Sequence, residues 1–127
     1  MKLQLDEGNG QYRIRACHAD GIQVNELLLR RSCIVSPARL IADWGPRRLA
    51  EVDRSALEPA LALKPEILLL GSGTRTRFPA PALLHEIQSR GIGFEVMDTA
   101  AACRCYSVLM AENRRVVAAL LMPDVRD

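Results

Sequence analysis

The chain has no C-x-x-C pair, no apolar run long enough to cross a bilayer, and few aromatic side chains. Its four cysteines, Cys17, Cys33, Cys103 and Cys105, lack the spacing of a zinc site or a redox motif. Cys103 and Cys105 are two residues apart on a helical segment, so they point in nearly opposite directions and cannot share a metal. Cys17 and Cys33, with His18 beside the first, fall on separate strands that could be neighbours. No metal and no cofactor is expected. Charges or prolines interrupt every apolar run well short of the roughly 18 to 20 residues a membrane span requires, so no transmembrane segment is expected. The opening MKLQLDEGNG has neither an apolar signal core nor repeated basic residues, which gives the expectation of a cytoplasmic protein with reduced thiols. Aromatics at 4% point to an aliphatic core. Seventeen Lys and Arg against fifteen Asp and Glu leave +2, too small an excess to argue for nucleic acid. No Ser/His/Asp or Cys/His set can be nominated from residue order, because such sets are recognised by geometry.

What is present is an ordinary globular composition, 127 residues with 49% apolar and 25% charged, enough for one domain over 1–127 with its own core. Residues 11–46 read mostly as antiparallel strands. Tyr12, Ile14 and Ala16 alternate with Arg13 and Arg15, the period of a half-buried strand, and Asp20-Gly21 suits a hairpin turn into 21–25. Residues 27–36 and 39–44 continue the pattern, broken at Pro37. Residues 53–121 alternate strand and helix instead. Ser55 and Glu58 have the spacing of a capping box, with Leu57, Ala60 and Leu61 on one helical face. The apolar run 67–70 reads as a strand covered on both sides. A helix over 82–90 and a strand over 93–97 follow, the two strands parallel. The centre is 91–106, where that strand meets Asp98-Thr99 and enters a helix over 99–112 so apolar that nearly every face should be covered. Residues 116–121 could then join parallel or antiparallel.

Two features could bind something, both at the carboxyl ends of the two central strands, where open α/β sheets form their crevice. In Gly71-Ser72-Gly73-Thr74-Arg75-Thr76-Arg77, glycines free the backbone amides, and hydroxyls and guanidiniums could hold a carboxylate or phosphate. Neither nucleotide-loop motif is matched. In the second feature Asp98 or Thr99 caps the helix, and Arg104 shares a stripe with Ala100, Ser107 and Ala111 that could admit another backbone or a partner.

The succession PEILLLGSG, a proline-rich helix entry, then GIGFEVMDTAAACRCYSVLMAENRRVVAALL resembles a domain-of-unknown-function family. That family includes the mitochondrial complex I assembly factor 3 and the adipogenesis-associated domain-containing protein. Gly71, Gly73, Met97-Asp98-Thr99, Ala102, Arg104 and Tyr106 carry the resemblance, with Val35-Ser36-Pro37 and Trp44 fitting more loosely. Cys105 and Ser107 stand where relatives commonly have Thr and Asn. The resemblance implies an α/β fold in three layers, a mixed central sheet flanked by helices with an additional N-terminal antiparallel strand layer. It also implies no established reaction, and mitochondrial members that associate with assembling respiratory complexes.

The leading expectation is therefore a non-enzymatic binding or assembly-factor-like protein. Its crevice would comprise Gly71, Ser72, Gly73, Arg75, Arg77, Met97, Asp98, Thr99, Arg104 and Tyr106, and its partner would be another protein. The alternative is an enzyme or sensor holding a small anionic metabolite at the loop from Ser72 to Arg77 and the Asp98-Thr99 helix start. The apolar last helix and 116–121 leave room for a homodimer.

Overall fold

The computed structural model describes residues 10–127; the reading of residues 1–9 for export signals lies outside them. Among the described residues the chain forms β1 (Ile14–His18), β2 (Gly21–Val24), β3 (Leu27–Leu29), β4 (Cys33–Val35), β5 (Leu40–Ile41), α1 (Arg54–Leu61), β6 (Ile67–Gly71), α2 (Pro81–Gln88), β7 (Gly93–Met97), α3 (Thr99–Ala111) and β8 (Val116–Leu120). The first three strands make an antiparallel meander, turned at Ala19-Asp20 and at Asn25-Glu26. Asn25 takes the second turn at φ +51°, a conformation asparagine tolerates better than most residues. Its side-chain oxygen accepts from the Arg13 amide at 2.9 Å.

The stretch 27–36 is not one extended region. The chain bends at residues 30–32, and β4 leaves the meander for a second sheet of order β5-β4-β8-β6-β7. Burial explains the split. Cys33, Ile34 and Val35 are all at 0% exposure, which requires a strand covered on both faces, whereas Leu27 and Leu28 on β3 are 42% exposed. The strand expected over 39–44 shrinks to β5, and the Trp44 indole instead donates to the Ala56 carbonyl at 2.7 Å.

β6, β7 and β8 are mutually parallel across β6, and β4 runs antiparallel to β8. β8 is thus parallel to one neighbour and antiparallel to the other. From β6 the chain steps outward to β7 and then back across β6 to β8. Right-handed crossovers in opposite directions place α2 and α3 on opposite faces of the sheet. The side chains of β8 show it. Val116, Ala118 and Leu120 join one core with Ala102, Cys103, Tyr106 and Met110 of α3 and Ile22 and Val24 of the meander. Val117 and Ala119, with Leu121 just past the strand, join the other with Leu57 and Leu61 of α1 and Leu83 and Ile87 of α2. The fold is the mixed α/β arrangement expected, helices on both faces of a central sheet and an antiparallel strand layer added by the N-terminal half.

Three expectations change. α3 is not covered all round: Thr99, Ala102, Cys103, Tyr106 and Met110 are buried, while Arg104, Ser107 and Ala111 are exposed and Val108 is 58% exposed. The helix is apolar because its residues are small, and only one stripe packs. β8 offers no edge to a second copy, since β4 and β6 occupy both sides. The capping box also fails. Asp53 precedes α1 and accepts from the Ala56 amide at 2.9 Å, and Glu58 instead lies 3.5 Å from Arg54. Asp53→Ala should lower stability by about 1 kcal/mol, whereas Ser55→Ala, at an exposed position inside the helix, should be neutral or slightly stabilising; urea midpoints compare the two.

Candidate binding site at the strand ends

Site geometry begins where β6 ends. Gly71, Ser72 and Gly73 are buried, and the loop's polar groups turn inward. The Ser72 amide donates to the Met97 carbonyl at 2.8 Å and the Thr74 amide to the Val125 carbonyl at 2.7 Å. The Ser72 hydroxyl donates to the Arg75 carbonyl at 2.7 Å and accepts from the Arg77 amide at 3.1 Å. Thr99, at 0% exposure, joins three segments: its hydroxyl oxygen accepts from the Gly73 amide at 2.9 Å and donates to the Leu121 carbonyl at 2.8 Å. Asp98 caps α3 by accepting from the Ala101 amide at 2.8 Å, and its own amide donates to the Thr76 hydroxyl at 3.2 Å. These amides close the loop on itself and on segment 121–127, which lies across the strand ends. They do not face an open cradle.

The ten residues expected to form one crevice separate into groups. Gly71, Ser72, Gly73, Asp98 and Thr99 form the braced floor just described. Met97 is half-buried against the core under α3. Tyr106 is fully buried, its hydroxyl donating to the Tyr12 carbonyl at 2.7 Å, so it is a core residue and not a surface anchor. Burial also pushes its pKa up. Arg104 lies in a separate cleft of about 460 Å³ with Arg15, Cys17, Ala100, Cys103 and Ser107. There the small-residue stripe borders β1, and Arg104 and Ser107 stay exposed along it. Arg75 and Arg77 remain in the loop that follows β6, and β7, expected to be central, is an edge strand.

The structure adds residues to this end that sequence reasoning passed over. A cleft of about 620 Å³ is lined by Arg48, Leu49, Arg54, Arg77, Phe78 and Leu83, among others. Phe78 is 64% exposed. The signal was there in the sequence: a bulky aromatic in Arg77-Phe78-Pro79, one of two phenylalanines in the chain, in a segment that interrupts the helix entry. Arg54 is held by Glu86 at 2.7 Å, and the Arg77 guanidinium donates to the Arg126 carbonyl. Across segment 121–127 a second cleft of about 530 Å³ is lined by Arg30, Arg31, Asp43, Arg47 and Asp124.

The cysteines do not assemble a site. The neighbour of Cys17 is Cys103, not Cys33, and Cys33 sits on β4, opposite Leu120. Burial raises all three thiol pKa values, that of Cys33 to about 12, which keeps them protonated and weakly nucleophilic. Among the described residues no three of His, Cys, Asp and Glu are grouped to hold a metal, and no helix is long and apolar enough to cross a membrane.

Comparison with known proteins gives a consistent picture. A family described as "Protein of unknown function (DUF498/DUF598)" matches residues 14–121. The chain is 32% identical over 105 residues to a Danio rerio protein named NADH dehydrogenase [ubiquinone] 1 alpha subcomplex assembly factor 3, covering 81% of this chain and 60% of that one. It is 30% identical over 126 residues to the Xenopus tropicalis protein of the same name, covering 98% and 68%. The solution NMR structure of a Bordetella pertussis protein, described as a Mth938-like domain, superposes with a TM-score of 0.81 at 31% identity, covering 98% of this chain and 94% of that one.

Proposed function

The chain belongs to the family of proteins of unknown function DUF498/DUF598, and we propose that it is a binding module that holds another protein during the assembly of a larger complex, without itself catalysing a reaction. The relatives named as complex I assembly factors support this role, although the chain spans 60% of the length of the Danio rerio protein. The contact surface is the cleft at the strand ends. One observation carries the assignment: Phe78, 64% exposed, stands with Leu49, Leu83 and the guanidiniums of Arg48, Arg54 and Arg77 around one concavity. Aromatic and arginine side chains around a pocket are the groups from which protein interfaces draw most of their energy. Of the residues first nominated, this cleft retains Arg77; Arg75 is exposed two positions earlier in the loop and does not line it.

The test is affinity capture with wild type and with the Arg77→Ala/Phe78→Ala double variant. Both side chains are at least partly exposed, so the variant should fold normally. A loss of about 2 kcal/mol, roughly thirty-fold in affinity, is the expected outcome for partners bound at this cleft. Recovery of the same partners at undiminished yield would place the contact elsewhere. The anionic-metabolite reading rests on Arg75 and the exposed loop residues Thr74 and Thr76. A thermal shift with a small anion that disappears in Arg75→Ala would favour it over the protein-binding one.

A further inference from the structure

We propose that the outer edge of β3 pairs with β3 of a second copy of this chain, in an antiparallel two-fold arrangement centred on Leu28. The backbone phase follows from the turn. Two residues, Asn25-Glu26, join Val24 to its partner Leu27, so those two close the hairpin by hydrogen bonds to each other, and Gln23 and Gly21 direct their backbone groups toward β1. Alternation along the strand turns Ile22 and Val24 toward β3, where they oppose Leu29 and Leu27. Those two leucines therefore point back at β2. Within β3, Leu28 points its N–H and C=O outward, with Glu26 in the turn at one end of the strand and Arg30 just past the other. β3 is the end strand of its sheet, and an end strand with free backbone groups is a template for another strand.

The side chains select the occupant. With Leu28 on the axis of a two-fold pair, residue 26 of one copy faces residue 30 of the other. Glu26 then opposes Arg30 twice, once on each side of the axis. Glu26 is exposed and makes no ion pair among the described residues. Among the described residues Arg30 reaches Asp20 alone, at 3.5 Å, with both side chains mostly exposed, so it can turn. Leu28 would lie beside its own copy, and Leu27 beside Leu29 of the other chain. The two leucines of this strand left 42% exposed would both be covered. An isologous contact of this kind closes at two copies, and the short edge makes it weak.

Sedimentation velocity on the wild-type protein from about 10 µM to about 1 mM should show a reversible monomer–dimer equilibrium in that affinity range. Leu28→Pro removes the outward N–H without touching the ladder to β2 and should abolish the dimer. If that variant does not fold, the exposed charges still decide. Glu26→Arg and Arg30→Glu each turn two attractive pairs into repulsive ones and should weaken association about ten-fold. Mixing these two variants, or combining them in one chain, restores Arg opposite Glu and should restore it. A wild-type protein that stays monomeric throughout leaves the edge to some other strand or to none, and overturns the proposal. So does a dimer indifferent to the charge reversals.

Discussion

Gly73→Ala is expected to destabilise the protein by about 3–5 kcal/mol, a large part of the 5–15 kcal/mol that holds a domain of ordinary stability together. Two effects combine. Gly73 has φ +103°, a region an L side chain enters only under strain. A Cβ there would also run into the backbone carbonyl of Val125, which cannot retreat easily because it accepts from the Thr74 amide at 2.7 Å. Gly45 separates the two contributions. It has φ +124°, with nothing within 4 Å of where a Cβ would stand, so Gly45→Ala should show the backbone strain alone, about 1–3 kcal/mol. Urea denaturation of both variants gives the difference directly, provided the slopes match wild type. If the two variants lay within about 0.5 kcal/mol of each other, segment 121–127 would not be locked onto the loop, and the crevice would be open for a ligand after all.

The prediction turns on a distinction that the sequence does not display. Two glycines, three hydroxyls and two arginines after an apolar strand have the composition of an anion cradle and also of a self-bonded loop exit. Only the positions of Thr99, Leu121 and Val125, 26 to 51 positions beyond the loop residues they bond, decide between them. Segments whose stability is local were legible. The apolar run of β6, the proline entry to α2, the Asp98 cap and the pairing of β6 with β7 follow from period, cap chemistry and crossover rules. The hairpin at Asp20-Gly21 follows from turn chemistry.

Non-local partners were not legible. β4 is three residues of continuous burial inside an extended stretch, with no glycine or proline at residues 30–32 to mark the change of sheet. Nothing near it in sequence says that it pairs with β8. The cap of α1 was lost to a coincidence of spacing, since Ser55 and Glu58 satisfy a pattern while Asp53, two residues earlier, makes the bond. In the sequence Arg104 groups with Arg75 and Arg77 because all three follow parallel strands or their loops. Thr99 begins α3, but the helix turns Arg104 toward β1, away from the cleft at Phe78.

Tyr106 gives the sharpest separation of a structural role from a binding role. As a surface anchor it would tolerate Tyr106→Phe without loss of stability, and the damage would fall on partner binding. Its geometry demands the reverse. The ring is at 0% exposure in the core that α3 shares with Ile22, Val24 and β8, and its hydroxyl donates to the Tyr12 carbonyl at 2.7 Å, bridging 94 residues of sequence. That bond ties the approach to β1 onto α3, so it holds the meander to the central sheet. Burial raises the pKa, keeping the hydroxyl neutral and available as the donor over the ordinary pH range. Tyr106→Phe should therefore cost about 1–2 kcal/mol, chiefly by leaving the Tyr12 carbonyl without its partner. Tyr106→Ala should cost about 3–5 kcal/mol, since it also empties a ring-sized volume under the meander. Phe78→Ala, at the exposed cleft, should stay within about 0.5 kcal/mol of wild type. Denaturation of the three variants alongside partner capture then gives opposite patterns: loss of stability with binding kept in the folded fraction for Tyr106→Phe, and loss of binding with stability kept for Phe78→Ala. If Tyr106→Phe were as stable as wild type yet failed to bind, the ring would have to leave the core to reach its partner, and the meander would be a movable layer rather than a fixed one.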